Sequence, residues 1–177
     1  PTLTPTGIRR EEMRAAMLSA LHALLSRMLF WPRPILIAAR GQCLGGGLEL
    51  ALAGMLIFAA RDAVFGQPEM KLGVFAPAAS VLLPARIGQA RAEDLLHSGR
   101  SIDADTALSW GLVTAVGEDP AALALEYFQN NLAGKSAASL GFGVQAVRSD
   151  FAAAINKRLL TVERMYLDKL MKTHDAV

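Results

Sequence analysis

The chain of 177 residues contains a single cysteine, Cys43, so no disulfide can close within it. That suits a reducing compartment. In a glycine-rich stretch the thiol reads more readily as a small buried residue than as a nucleophile. Histidines are scarce: His22, His97 and His174 lie far apart and lack metal-ligand spacing, so no metal is expected. No basic stripe is present. Lys+Arg is 18 against 16 Asp+Glu, a formal net charge of +2, which argues against a nucleic-acid partner. Arg9 and Arg10 are followed at once by Glu11 and Glu12, the pattern of a solvated helix face. The longest apolar run, Leu50 to Ala60, is too short to span a bilayer as a helix. The opening stretch, Pro1 to Gly7, is rich in breakers and has no apolar h-region. A cytoplasmic protein without membrane contact is therefore expected. Neither an internal repeat nor a low-complexity linker is visible.

What the chain does have is apolar content. Hydrophobic residues make up 53%, high for a small soluble domain. A domain of this size buries roughly 70% of its unfolded surface. Either the core is large or apolar surface meets other subunits.

Apolar periodicity predicts an amphipathic helix over residues 8–30, carried by Met13, Met17, Leu21, Leu24, Leu25 and Met28. Pro32 and Pro34 end it. Ile35 to Ala38 reads as a buried strand, 41–47 as a glycine-rich turn, 47–55 as a helix and Leu56 to Ala60 as a second buried strand. Val64 to Gly66 is a short strand before the loop Gln67-Pro68-Glu69. Helices are expected over 78–83 and 90–98. Another, capped by Ser101 or Asp103, ends at Trp110-Gly111. Leu112 to Val116 reads as a strand, and three helical segments fill most of 120–173. Strand–turn–helix crossovers early and helices late point to a mixed α/β layer fold.

The triplet Gly45-Gly46-Gly47 stands between a strand and a helix. Free N–H groups of a first helical turn, with the helix dipole behind them, suit a developing oxyanion. A glycine triplet serves equally as a tight turn or a close helix–strand contact. Glu49, in the first turn, is either an acidic residue favoured near a helix N-terminus or a carboxylate beside the oxyanion donors. Glu69, after Pro68, is either a solvated loop residue or a second carboxylate facing the first. Two carboxylates at one reacting centre can divide acid and base work on a water. Spacing alone does not bring them together.

The segment from Pro34 to Ala51, PILIAARGQCLGGGLELA, resembles the first signature of the crotonase (enoyl-CoA hydratase/isomerase) superfamily. Phe65 to Gly73, FGQPEMKLG, resembles the second. Ser98-Gly99-Arg100, Ala104 to Ala107 and Gly111-Leu112-Val113 resemble the helix–turn–strand that follows. The resemblance implies a crotonase-like α/β spiral of strand–strand–helix units. Residues 1–117 would form a partial spiral core carrying the site. Residues 118–177 would form a C-terminal helical oligomerisation region. The resemblance also implies early strands, and a loop with a second oxyanion donor, ahead of the first helix seen here, so those strands are expected to be missing from this chain.

By position, the resemblance assigns the Gly46 N–H to the thioester oxygen and Glu49 and Glu69 to the two glutamates of the hydratases. Leu44, Gly45, Phe75, Ala76 and Pro77 are expected to contact substrate. After the second signature, Val74 to Ser80 departs from the glycine-rich segment of general hydratases. With Gly41-Gln42-Cys43 and Ala92 to Leu96, it is most similar to the branch acting on cyclohexa-1,5-diene-1-carbonyl-CoA in anaerobic aromatic-acid degradation. Phe75 and the alanines then shape a pocket for a flat ring, or else pack a core. The resemblance implies water addition to an enoyl- or dienoyl-CoA thioester, no metal or redox cofactor, and a homotrimer or hexamer. Met13, Met17, the 151–173 helix and Tyr166 are candidate contact surfaces, and equally candidates for intramolecular core. A general hydratase or isomerase for linear acyl-CoA, and a non-catalytic crotonase-like subunit, are the alternatives.

Overall fold

The computed structural model describes residues 10–173, with side chains from Glu12 onward. The opening segment 1–9 and His174 lie outside the described residues. Helix α1, Arg10–Leu29, stops just ahead of Pro32 and Pro34. Proline lacks the N–H needed to continue a helix and restricts the residue before it. Leu25 and Leu29 sink into the core from this helix.

Among the described residues, six short strands form two sheets. In the first, β1 (Leu36–Ala39) pairs in parallel with β3 (Leu56–Ala60), and β3 with β6 (Ala115–Gly117). In the second, β2 (Gln42–Leu44) lies parallel to β4 (Val64–Gly66), whose other side pairs antiparallel with β5 (Ser101–Asp103). The chain runs from the first sheet to the second and then into a helix, twice. One unit is β1, β2 and α2 (Gly46–Ala53); the next is β3, β4 and α3 (Ala79–Ile87). Helix α4 (Gln89–Ser98) follows; then β5 leads through α5 (Ala104–Ser109) back to β6. This is the strand–strand–helix spiral expected. The C-terminal region is α6 (Pro120–Asn131) and α7 (Ala137–Arg164), the latter prolonged by a π-helical turn, Met165–Lys169, and a 3₁₀ turn, Leu170–Lys172.

Four local expectations change. The 41–47 stretch is not one turn: Gly41 (φ 61°) and Gly45 (φ 53°) turn, while Gln42–Leu44 is the strand β2, its register on β4 supplying ladder partners. Ser101 to Asp103 is a strand as well as a helix start, and Asp103 is the cap, its carboxylate accepting from the Thr106 N–H at 2.8 Å. The strand placed at Leu112 begins at Ala115, because the N–H groups of Leu112 and Val113 both donate to Ala107 O and finish the α5 turn. The Gln67-Pro68-Glu69 loop opens a 3₁₀ helix, Pro68–Leu72.

Helix α2 is central and short. Leu48 and Leu52 are fully buried on it. A helix end leaves carbonyls without partners, and two arginines take them up. Arg86 of α3 donates to Leu52 O (2.7 Å), Met55 O (3.1 Å) and Gly54 O, and Arg148 of α7 to Ala53 O (2.8 Å). Burial and the neighbouring Arg148 charge pull the Arg86 guanidinium down to about 10. The C-terminal end of α2 is thus held by cations, while at its N-terminal end Gly46 and Gly47 stay exposed. Among the described residues, no helix is long and apolar enough to cross a membrane.

Candidate active site

Gly45 is the N-cap of α2, at φ 53° and ψ −127°, a conformation that side chains with a Cβ disfavour. Its N–H donates to Gly66 O (3.0 Å), and its carbonyl accepts from Glu49 N–H (3.0 Å) and Gln67 Nε2 (3.3 Å). Gly45 is thereby tied to the end of β4 and the residue after it. Gly46 and Gly47, as first-turn residues, have no intrahelical acceptor for their N–H groups.

One turn into α2, Glu49 points inward and is only 3% exposed. Its Oε1 accepts from the Ala79 N–H at 2.9 Å, the first residue of α3. A carboxylate at a helix N-terminus gains from the dipole and the free N–H. Burial nevertheless raises the Glu49 carboxyl above its ordinary range. The Glu69 charge adds to that rise, and the Ala79 hydrogen bond and the His22 charge oppose it. Burial likewise raises Glu69, on the 3₁₀ turn after β4. Glu69 Oε2 is buried and has no hydrogen-bond partner among the described residues. Burial thus shifts both carboxyls toward the protonated form, and at Glu49 the Glu69 charge adds to that shift.

Glu49, Glu69 and Gly46 line one cavity of 560 Å³. Phe75, Ala76 and Pro77 line it too. The structure therefore brings together six of the eight expected site residues. Leu44 and Gly45 are not on its wall: Leu44 sits in β2 opposite Gly66, and the backbone of Gly45 is spent on the β4 connection. Cys43 is in the same strand, partly buried, and its thiol is pushed up to about 11 by burial, which leaves it a poor nucleophile. Among the described residues, no three His, Cys, Asp or Glu side chains gather as a metal site.

The cavity also holds residues that sequence reasoning did not place there. Arg14, Met17, Leu18 and Leu21 of α1 form one wall, and Tyr166 of the π-helical turn another. Tyr166 meets Phe75 edge-on, ring centroids 5.5 Å apart. Met17 and Tyr166, candidates for a subunit contact or for the core, take their places on the cavity because α1 and the turn after α7 pack across it. The spacing of Arg14, Leu18 and Leu21 does mark a single helix face, but not what that face meets.

Residues 4–176 match the family described as enoyl-CoA hydratase/isomerase. The chain is 59% identical over 163 residues to the cyclohexa-1,5-dienecarbonyl-CoA hydratase of Thauera aromatica, covering 92% of this chain and 63% of that one. Among solved structures, an enoyl-CoA hydratase/isomerase from Pseudoalteromonas atlantica superposes with a TM-score of 0.75 at 29% identity, covering 90% of this chain and 62% of that one. A carnitinyl-CoA hydratase from Mycobacterium avium does so with a TM-score of 0.73 at 31% identity, covering 82% and 57%. The chain spans less than two thirds of the length of each of these three.

Proposed function

The chain belongs to the enoyl-CoA hydratase/isomerase family, and we propose that it adds water to cyclohexa-1,5-diene-1-carbonyl-CoA, giving a hydroxycyclohexene-carbonyl-CoA in the breakdown of aromatic acids through benzoyl-CoA. The observation that carries this reading is the meeting of Glu49, Glu69 and the exposed first turn of α2 at one cavity. Similarity to the Thauera aromatica hydratase supports the choice of a cyclic dienoyl group.

The thioester oxygen accepts from the Gly46 N–H, where the dipole of α2 favours the negative charge that grows there. Glu49 and Glu69 hold one water. One carboxylate takes a proton from it as the C–O bond forms on the ring. The other, protonated, gives its proton to the extended enolate as the C–H bond forms. Phe75, Ala76 and Pro77 wall the acyl group, with Tyr166 against Phe75. The thioester serves as electron sink, so the reaction draws on no metal or redox cofactor.

Residues 1–117 are read as spiral core and 118–177 as the region that makes subunit contacts, in a cytoplasmic homotrimer or hexamer. Exposed Phe142 and Val147 on α7 support such contacts. Light scattering at micromolar concentration checks the assembly, and a monodisperse monomer overturns it. The activity is tested by assaying the full-length protein on cyclic and linear enoyl-CoA thioesters. Faster hydration of the cyclohexadienoyl thioester is expected. Preference for linear chains makes the protein a general hydratase, and turnover of neither makes it a non-catalytic subunit.

A further inference from the structure

Gly46 lines the cavity from within a run of three glycines, the residues with the least backbone preference of their own. What aims its N–H must therefore come from outside the run. A trans peptide is planar, with its C=O and N–H pointing in opposite directions. The direction of the Gly46 N–H is thus set by the Gly45 carbonyl, at the other end of the same peptide unit. That carbonyl accepts twice. One donor is the Glu49 N–H at 3.0 Å, the first hydrogen bond of α2. The other is Nε2 of Gln67 at 3.3 Å. A carbonyl only accepts, so the nitrogen of the Gln67 amide faces it.

Gln67 is 1% exposed, and burying an amide is costly unless hydrogen bonds offset it. Its side chain does not cap the 3₁₀ helix that it precedes. Its Oε1 is buried with no hydrogen-bond partner among the described residues. The hydrogen bond that this amide does make is the one to Gly45 O. A methionine or leucine would fill the same space without an unpaired oxygen, so packing alone does not account for a glutamine. Gln67 follows β4 directly, and the Gly45 N–H donates to Gly66 O at 3.0 Å. Consecutive residues at the end of β4 therefore hold Gly45 from both sides: the Gly66 carbonyl takes its N–H, and the Gln67 amide gives to its C=O. Glu69 comes shortly after in the same segment, so one strand end frames both the carboxylate and the oxyanion donor.

We propose that Gln67 is a positioning residue for the oxyanion site: its amide fixes the plane of the Gly45–Gly46 peptide and so aims and strengthens the Gly46 N–H. The inference rests on the assignment of Gly46 to the thioester oxygen. Donation into a carbonyl draws electron density from the amide nitrogen, and hydrogen bonds chained through one peptide polarise each other. Negative charge grows on the thioester oxygen as water adds. A donor already held in place stabilises that charge without reorganising. Gln67 is not on the cavity wall and acts through the peptide.

The test uses the full-length protein and cyclohexanecarbonyl-CoA, a saturated thioester that cannot add water, isotopically labelled at the carbonyl carbon. Infrared difference spectra give the carbonyl stretch of the bound thioester, which falls as donors to its oxygen strengthen. In wild type the band is expected below its position in water. Gln67→Met keeps the bulk and removes the donor, and its band is expected to move back toward that position. On the dienoyl thioester, kcat should fall about tenfold, less than the roughly 10²–10³ for losing an oxyanion donor outright, with KM little changed. Gln67→Glu can donate only while protonated. Its band is expected near that of wild type at low pH and near that of Gln67→Met once the carboxyl ionises, and it decides the matter should Gln67→Met not fold. A folded Gln67→Met with the wild-type band, whatever its melting temperature, overturns the inference and leaves Gln67 a tie between β4 and α2. A wild-type band unshifted from water overturns the assignment of Gly46, and the inference with it. A shifted band without hydratase activity overturns the proposed reaction instead, and the infrared comparison still decides the role of Gln67.

Discussion

Oε1 of Glu69 lies 2.7 Å from the point that a Cβ on Gly45 would occupy. The glycine of one signature thus leaves the room in which the carboxylate of the other stands. Real side chains do not approach so closely, and Gly45 also holds a positive φ. Gly45→Ala is therefore expected to displace the Glu69 carboxylate. Turnover should fall by at least about 10², the scale of a misplaced catalytic group, and stability by about 1–2 kcal/mol from the strained backbone. Steady-state kinetics with thermal melts check both, and a variant of normal kcat would separate the glycine from the placement of Glu69.

Glu49→Gln and Glu69→Gln are each expected to lower kcat by about 10²–10⁴ if the two divide acid and base work. Affinity for a non-reacting thioester analogue should change little, because neither carboxylate is assigned to the CoA moiety. Titration calorimetry beside the kinetics makes the comparison. Near-normal turnover in both variants removes the two-carboxylate mechanism.

The same substitutions should stabilise the fold at neutral pH. Both carboxyls sit above their ordinary value of 4.5, chiefly through burial. As pH rises past 4.5, the unfolded chain loses these protons first, so stability falls until the folded groups also ionise, and stays lowered above that point. Glutamine has no such loss and can still accept from Ala79 N–H. The melting temperature of Glu49→Gln minus that of wild type should be near zero at about pH 4. At neutral pH it should be positive by at least about 2 °C, the worth of 1 kcal/mol in a chain of this size. A difference independent of pH would mean that the carboxyl is not raised in the folded state.

Phe75 lines both the 560 Å³ cavity and a neighbouring one of 280 Å³. Phe75→Ala opens the wall between them and removes the edge contact with Tyr166. For a cyclic dienoyl thioester, kcat/KM should drop about tenfold, the worth of an aromatic contact, while a linear enoyl thioester gains. Equal losses on both substrates would show that Phe75 packs the core without selecting the ring.

Arg86→Met keeps much of the side-chain volume and removes the donors that hold the end of α2. The part-buried carbonyls of Leu52, Gly54 and Met55 lose a charged partner, at a cost of about 2–3 kcal/mol. Urea unfolding should show the midpoint fall with the slope unchanged. An unaltered midpoint would mean that Arg148 and water suffice.

By themselves, the residues determined the mixed α/β character and most of the elements, and the resemblance of two segments to family signatures marked Gly46, Glu49 and Glu69 as candidates. Strands β3 and β4 fall where apolar runs place them, because a buried strand declares itself by composition between breakers. Glycine triplets and a Pro-Glu pair are equally local signals. Strand β2 was hidden in a glycine-rich turn, and β5 behind a helix cap, because three-residue strands exist only through the partners they pair with. Tertiary structure alone decided that Glu49 and Glu69 share a cavity. It also set Tyr166 against Phe75, 91 positions away, and joined His22 to Glu163 across |i−j| = 141. No periodicity records such meetings: they arise when α1 and α7 pack over α2, and the direction of each side chain at that crossing depends on every residue buried beneath it.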